Sequence, residues 1–318
     1  MVQSWTTPYR YKREKMIKIV YMGTPHYAKE ILQTLIDDDK IEVPLVITQP
    51  DRKAGRKGDL KAPAVKVLAL KHELYILQPE KLSDEGIYEA IVSAKPDFIV
   101  VAAFGQLLPK SILDIAPCIN LHASLLPQYR GASPVQQSLL HGDEFTGVTA
   151  MLMEEGLDSG PILGYRYFKI PQTMLLPELM NRLSDDACML TTDIIHRFDT
   201  IAPMEQVRAM ATHCKKIKKA DGLVDFSDAS DFYDKYRAFE GWPGIFVESG
   251  MKIKDVALVE IFSQNSQGEI LELKDESIVV ACAKGSLEIG ILQPASKKAV
   301  NAKAYCVGRG LKVGNSLL

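Results

Sequence analysis

No stretch of about 18 consecutive apolar residues, the length a helix needs to span a bilayer, occurs in this 318-residue chain. A membrane-spanning protein is therefore not expected. The five cysteines, Cys118, Cys188, Cys214, Cys282 and Cys306, form no CxxC pair and have no histidine at ligand spacing. Neither a zinc site nor a disulfide framework is expected, no metal is called for, and a reducing cytoplasm fits best. Residues 1–15, MVQSWTTPYRYKREK, lack the apolar core of a secretory signal, and Met16 stands directly before the first strand-like run. They are expected to be an extension or a non-native start. A dinucleotide fingerprint is missing too: Gly23-Thr-Pro offers one glycine where GxGxxG needs three, which disfavours an NAD-linked oxidoreductase. His72-Glu73 does not extend to HExxH and there is no GxSxG elbow, so zinc and serine hydrolysis have no support. The net charge of -2 argues against a generic nucleic-acid coat protein but leaves room for local basic patches.

The apolar fraction of 47% and charged fraction of 25% are those of an ordinary globular protein, and the length suits two domains. The runs at Lys18–Met22, Val43–Thr48, near Tyr75 and at Phe98–Ala103 read as buried strands separated by helical segments. Thr24 is the expected cap of the first helix, with Pro25 at its first position. This alternation predicts an α/β fold with a doubly wound, mostly parallel sheet. After residue 220 short strand-like runs at Ile253–Ile261, Glu269–Leu273, Ser277–Ala281 and Leu287–Leu292 predict a smaller C-terminal β-barrel. The expected division is a catalytic domain over 16–205, a linker over 206–220 and a second domain over 221–318.

Cys118-Ile-Asn-Leu-His122 is unusual among the strand candidates because polar Asn120 and His122 are two apart and project from one face. A histidine near a strand end is ordinarily a surface or core residue satisfied by local hydrogen bonds. Here a long loop follows at the carboxyl end of a sheet strand, where doubly wound folds bind ligands. Asn120 can donate an amide N–H to a developing oxyanion, and His122 can donate to the same oxygen or take a proton from an attacking amine. A third group must hold the imidazole. Asp158, in Gly156-Leu-Asp-Ser-Gly160, is the candidate, although an Asp in such a turn is more often a turn former.

The loop 49–60 carries Arg52, Lys53, Arg56 and Lys57 against Asp51 and Asp59. Solvated charge is the plain reading, but the loop leaves the second strand on the side of the Asn120 loop and suits a phosphate-bearing substrate. Lys215-Lys-Ile-Lys-Lys219 and the pair Lys297, Lys298 could extend that surface, since a small basic barrel is a nucleic-acid platform.

Taken together, Asn120-x-His122-x-Ser-Leu-Leu-Pro127, Arg130-Gly131 and Gly-Leu-Asp158-Ser-Gly160 resemble the folate-dependent formyltransferase family. The resemblance runs from Met16 along nearly the whole chain, through Met22-Gly-Thr-Pro25, Thr48-Gln-Pro-Asp-Arg52, Phe104-Gly-Gln-Leu-Leu-Pro109 and Leu292-Gln-Pro294. Departures such as Ala123, Ser133 and Ser159 are small residues for small ones, and His26 stands where the family often has an acid. The resemblance implies a Rossmann-like formyltransferase sheet with an OB-like second domain. It implies that 10-formyltetrahydrofolate donates a formyl group to the α-amine of methionine on initiator tRNA. By the same likeness Asn120, His122 and Asp158 are catalytic, and Ser124, Leu125, Leu126 and Pro127 border the folate. Leu107 and Leu108 are then its apolar contacts, and the basic loop with Arg52, Lys53, Arg56 and Lys57 is similar to the family's tRNA-acceptor-stem loop, a surface that the charge of Lys297 and Lys298 would extend. A monomer is expected. Two alternatives stand beside it: a related transferase for a small amine, and a tRNA-binding protein with an inactive transferase domain.

Overall fold

The computed structural model describes residues 16–54 and 58–318. Strand β1 (Ile17–Gly23) has Ile19, Val20, Tyr21 and Met22 fully buried, the signature of a parallel strand covered on both faces. Helix α1 (His26–Asp37) buries Tyr27, Ala28, Ile31, Leu32 and Leu35 along one stripe. Its start differs from expectation. Pro25 is the extended cap residue, with ψ -174, and Thr24 sends its hydroxyl to the Phe104 carbonyl at 3.2 Å instead of capping.

Strand β2 (Ile41–Ile47) is followed by the antiparallel hairpin β3 (Arg52–Ala54) and β4 (Asp59–Lys61), then helix α2 (Ala64–Lys71) and strand β5 (Ile76–Leu77). Helix α3 (Ile87–Ala94), strand β6 (Phe98–Ala102), helix α4 (Lys110–Leu113) and strand β7 (Cys118–His122) complete this stretch. The strands pair in parallel in the order β7-β6-β1-β2-β5. Val20, Met22, Leu45, Ile47, Ile99 and Val101 project into a core closed by Ile87 and Ile91 of α3. The described chain up to Leu121, with Leu152–Glu155, forms one compact unit, and His122–Met151 with Gly156–Leu318 forms a second.

In the second unit, strand β8 (Arg130–Gly131) and helix α5 (Pro134–Leu140) precede the antiparallel pair β9 (Phe145–Leu152) and β10 (Ile162–Lys169). Helix α6 (Leu176–Arg197) buries Leu179, Leu183, Ala187, Leu190 and Ile194. Strand β11 (His213–Cys214) pairs in parallel with β8, so the expected linker contributes a strand of its own. Helix α7 (Ala229–Ala238) then leads into β12 (Ile245–Phe246), β13 (Lys252–Gln264), β14 (Ile270–Leu273), β15 (Ile278–Ala281) and β16 (Lys284–Gln293). These strands form an antiparallel sheet in the order β12-β13-β16-β15-β14, joined at β16 by β17 (Val300–Asn301) and followed by helix α8 (Ala302–Arg309). Its buried face carries Ile253, Ile278, Val280, Leu287, Ile289 and Leu292. The fold is thus a mostly parallel α/β sheet followed by a C-terminal antiparallel sheet. Among the described residues no helix is long and apolar enough to cross a membrane.

Candidate active site

All five residues of β7 are buried, including Asn120 and His122. Two apart on one strand, they share a face. A buried imidazole needs partners. The Nε2 of His122 lies 3.0 Å from the Tyr129 carbonyl oxygen, and because a carbonyl only accepts, Nε2 must carry the hydrogen. Nδ1 is left as the nitrogen that can gain or lose a proton. It faces Oδ2 of Asp158 at 3.7 Å, an ion-pair separation longer than a direct hydrogen bond.

Asp158 is itself held. Its Oδ2 accepts the Gly131 backbone N–H at 2.8 Å. Its φ of 48 is left-handed, a conformation that Asp visits more readily than most residues. The expectation gave Asp158 the task of holding the imidazole. The ring has two partners, the Tyr129 carbonyl at Nε2 and, at ion-pair separation, the Asp158 carboxylate across from Nδ1.

Tyr129 is also left-handed, with φ 59. Its N–H donates to the Thr212 hydroxyl at 2.8 Å and its phenol donates to Asp143 at 2.7 Å. Burial raises the Tyr129 phenol above its usual range and Asp143 adds to the effect, while burial also pushes the Asp143 carboxyl up. The phenol's hydrogen bond to Asp143 and the N–H bond to Thr212 together fix the residue whose carbonyl meets His122.

Gly131 is required at its position. With φ 122, a Cβ there would lie 2.2 Å from the Cys214 carbonyl oxygen, a backbone atom of the paired strand. Gly131→Ala is expected to cost about 1–3 kcal/mol of stability, the usual range for a forced backbone conformation. Urea unfolding measures it, and turnover should fall as well because the Gly131 N–H no longer meets Asp158.

The turn after β7 is pinned by one hydroxyl. Thr149 Oγ1 donates to the Ser124 carbonyl at 2.6 Å and accepts the Leu126 N–H at 3.0 Å. The Ser124 hydroxyl donates to the Gln128 carbonyl at 2.7 Å. Leu126 is buried, whereas Leu125 and Pro127 are partly exposed. In the first unit, Leu108 packs into the hydrophobic core beside Phe104, while Leu107 is 69% exposed. Of the basic residues, Arg52 pairs with Glu80 at 2.9 Å, and Lys53, Lys297 and Lys298 are exposed. Arg56 and Lys57 lie outside the described residues. Among the described residues no group of His, Cys, Asp and Glu could hold a metal ion. The Cys118 and Cys282 thiols are pushed up to about 12 by burial, so neither is poised as a nucleophile.

Two family models match the sequence, that of the formyl transferases over residues 16–194 and that of the formyl transferase C-terminal domain over residues 216–310. The chain belongs to the formyl transferase family. It is 62% identical to the methionyl-tRNA formyltransferase of a Sulfurovum species over 301 residues, 95% of this chain and 99% of that protein. It is 50% identical to the methionyl-tRNA formyltransferase of a Nitratiruptor species, over 94% of this chain and 99% of that protein. The fold is shared with WlaRD, a sugar 3N-formyl transferase crystallised in the presence of dTDP and 5-N-formyl-THF. That match has a TM-score of 0.65 at 18% identity, covering 90% of this chain and all of the other. The formyl transferase is an enzyme, and its candidate reacting groups stand at the end of β7.

Sequence reasoning missed two partners of the candidate residues, the Tyr129 carbonyl on His122 and Gln206, whose side-chain amide donates to the Asp158 backbone carbonyl and accepts from Arg130. The one available signal for Gln206 was Arg130, the single charged residue between His122 and Asp143. A guanidinium buried there must find an acceptor elsewhere in the chain.

Proposed function

We propose that this formyl transferase moves the formyl group of 10-formyltetrahydrofolate onto the α-amine of methionine carried by initiator tRNA, yielding formylmethionyl-tRNA for translation initiation. The observation that carries the reading is buried His122, two residues after Asn120 on β7, facing the part-buried Asp158 carboxylate, in a chain 62% identical to a methionyl-tRNA formyltransferase across 95% of its length.

Transfer of a formyl group to an amine builds negative charge on the carbonyl oxygen and positive charge on the attacking nitrogen. The neutral amine forms the new N–C bond and gives up a proton, and the bond from that carbon to the folate nitrogen breaks as that nitrogen takes up a proton. Asn120 supplies an amide N–H for the developing oxyanion. His122 keeps Nε2–H on the Tyr129 carbonyl, so Nδ1 is the position at which it holds or passes a proton. Asp158, 3.7 Å across from Nδ1, stabilises the imidazolium and receives the proton through a bridging water. No covalent enzyme intermediate is needed.

Ser124, Leu125, Leu126 and Pro127 would border the folate, with Leu125 and Pro127 the partly exposed members of that turn. Leu107, exposed, is the better placed of the pair Leu107 and Leu108 for an apolar contact. Arg52, Lys53, Arg56, Lys57, Lys297 and Lys298 would meet tRNA phosphates. The catalytic domain is assigned to 16–205, the connecting segment to 206–220 and the C-terminal domain to 221–318. The enzyme would act as a monomer in the cytoplasm, where its free thiols stay reduced.

The reaction is tested by incubating the protein with 10-formyltetrahydrofolate and methionyl initiator tRNA, then identifying the released amino acid by mass spectrometry. Formylmethionine is expected, and methionine alone would refute the proposal. The tRNA surface has its own test. Lys297→Ala with Lys298→Ala should weaken tRNA binding and lower the slope of log affinity against log salt by about 1 for each phosphate no longer neutralised. An unchanged slope would remove the two lysines from the interface.

A further inference from the structure

The segment joining the two matched family regions, residues 195–215, is covered by neither model. Yet it backs the His122–Asp158 pair. Met204 and Ile162 exchange two backbone hydrogen bonds of 2.8 Å just beyond the Asp158 turn. Thr212 takes hold of the loop after β7 three times: its N–H donates to the Pro127 carbonyl, its hydroxyl accepts the Tyr129 N–H, and its carbonyl accepts the Arg130 N–H.

Between these anchors sits Gln206, 8% exposed, with both ends of its amide engaged. Its Oε1 accepts from Nε and an Nη of Arg130 at 3.1 and 2.7 Å. Its Nε2 donates to the carbonyls of Asp158 at 3.0 Å and Gly160 at 2.7 Å. One side chain therefore ties the turn that carries Asp158 to Arg130, the neighbour of the residue whose carbonyl holds His122. All four groups are buried or nearly so, where a rotated amide would leave carbonyls and a guanidinium unpartnered.

We infer that Gln206 is a positioning residue for formyl transfer: it fixes the Asp158 carboxylate opposite Nδ1 of His122 without touching either substrate. The inference rests on the proposed role of the His122–Asp158 pair. The Gly131 N–H holds the carboxylate itself, and the two amide donations hold the backbone of the left-handed turn from which that carboxylate projects.

Gln206→Glu separates positioning from general packing. The glutamate still accepts from Arg130, now as an ion pair, but it cannot donate to the Asp158 and Gly160 carbonyls. Thermal unfolding should come a few degrees earlier, because two buried carbonyls lose their donor, so resonances and kinetics are read per folded molecule well below that transition. The imidazole nitrogen resonances of His122, recorded by NMR with ¹⁵N-histidine labelling, should move, because the charge facing Nδ1 has shifted. In the formyl-transfer assay kcat should fall about tenfold, the loss expected for a modest displacement of a catalytic group, with KM for both substrates within about twofold. Unmoved His122 resonances overturn the inference, as does a rise in KM without a fall in kcat. Were the unsubstituted protein itself inactive with methionyl-tRNA, the functional proposal would fall while the His122 resonances still judged the tether.

Discussion

His122→Ala is expected to lower kcat by about 10²–10⁴-fold, the range by which a positioned acid–base group accelerates a proton transfer. The effect follows from the division of labour between the ring nitrogens. Nε2 is committed to the Tyr129 carbonyl at 3.0 Å, so only Nδ1 can handle the proton leaving the amine. Truncation removes that nitrogen and leaves the part-buried Tyr129 carbonyl with only the weak thiol donor of Cys214 at 3.4 Å. The structural part of the loss should be about 1–3 kcal/mol of stability. The kinetic part corresponds to about 2.7–5.4 kcal/mol of barrier, at about 1.36 kcal/mol per tenfold. Thermal unfolding and kcat per folded molecule, measured on one preparation, separate them. A variant that turns over within a few-fold of the unsubstituted enzyme would remove His122 from the chemistry.

Asn120→Ala should cost about 10²–10³-fold in kcat, the loss typical of a missing oxyanion donor. Asn120 lies two residues before His122 on the same strand, so its amide projects from the same face. The interaction strengthens only as charge develops on the oxygen, and KM should therefore change little. Asn120→Asp makes a sharper comparison. It keeps the shape but replaces a donor by an acceptor when ionised, and should be at least as slow. A rise in KM with kcat intact would reassign Asn120 to substrate binding.

The fold was legible where one local rule dominated. The apolar runs of β1, β2 and β6 announce parallel strands because both faces are covered, and the C-terminal strands fall within a few residues of their alternating patterns. The burial of two polar side chains on β7, which have no packing reason to be there, is what makes that strand the candidate site element. The start of α1 was misread because Thr24 found a tertiary acceptor in Phe104, a contact 80 residues away in sequence. The support of the site was hidden for similar reasons. The acceptor for His122 is a backbone carbonyl on a left-handed tyrosine, which leaves no mark on residue identity. Gln206 reaches Arg130 and Asp158 across 76 and 48 residues, from a segment whose irregular composition reads as a linker. Two short strands, β8 and β11, are formed by pairing with each other, and two-residue strands carry no periodicity to detect.

The most direct test of the central claim is a competition for 10-formyltetrahydrofolate between methionyl initiator tRNA, methionyl elongator tRNA and a small amine acceptor, glycinamide ribonucleotide, scored by kcat/KM for each. The account predicts formyl transfer to the initiator tRNA well ahead of both others, abolished or nearly so in the His122→Ala enzyme. Transfer to the small amine alone would contradict the tRNA assignment while leaving the reacting groups in place, and transfer to none of the three would contradict the account as a whole.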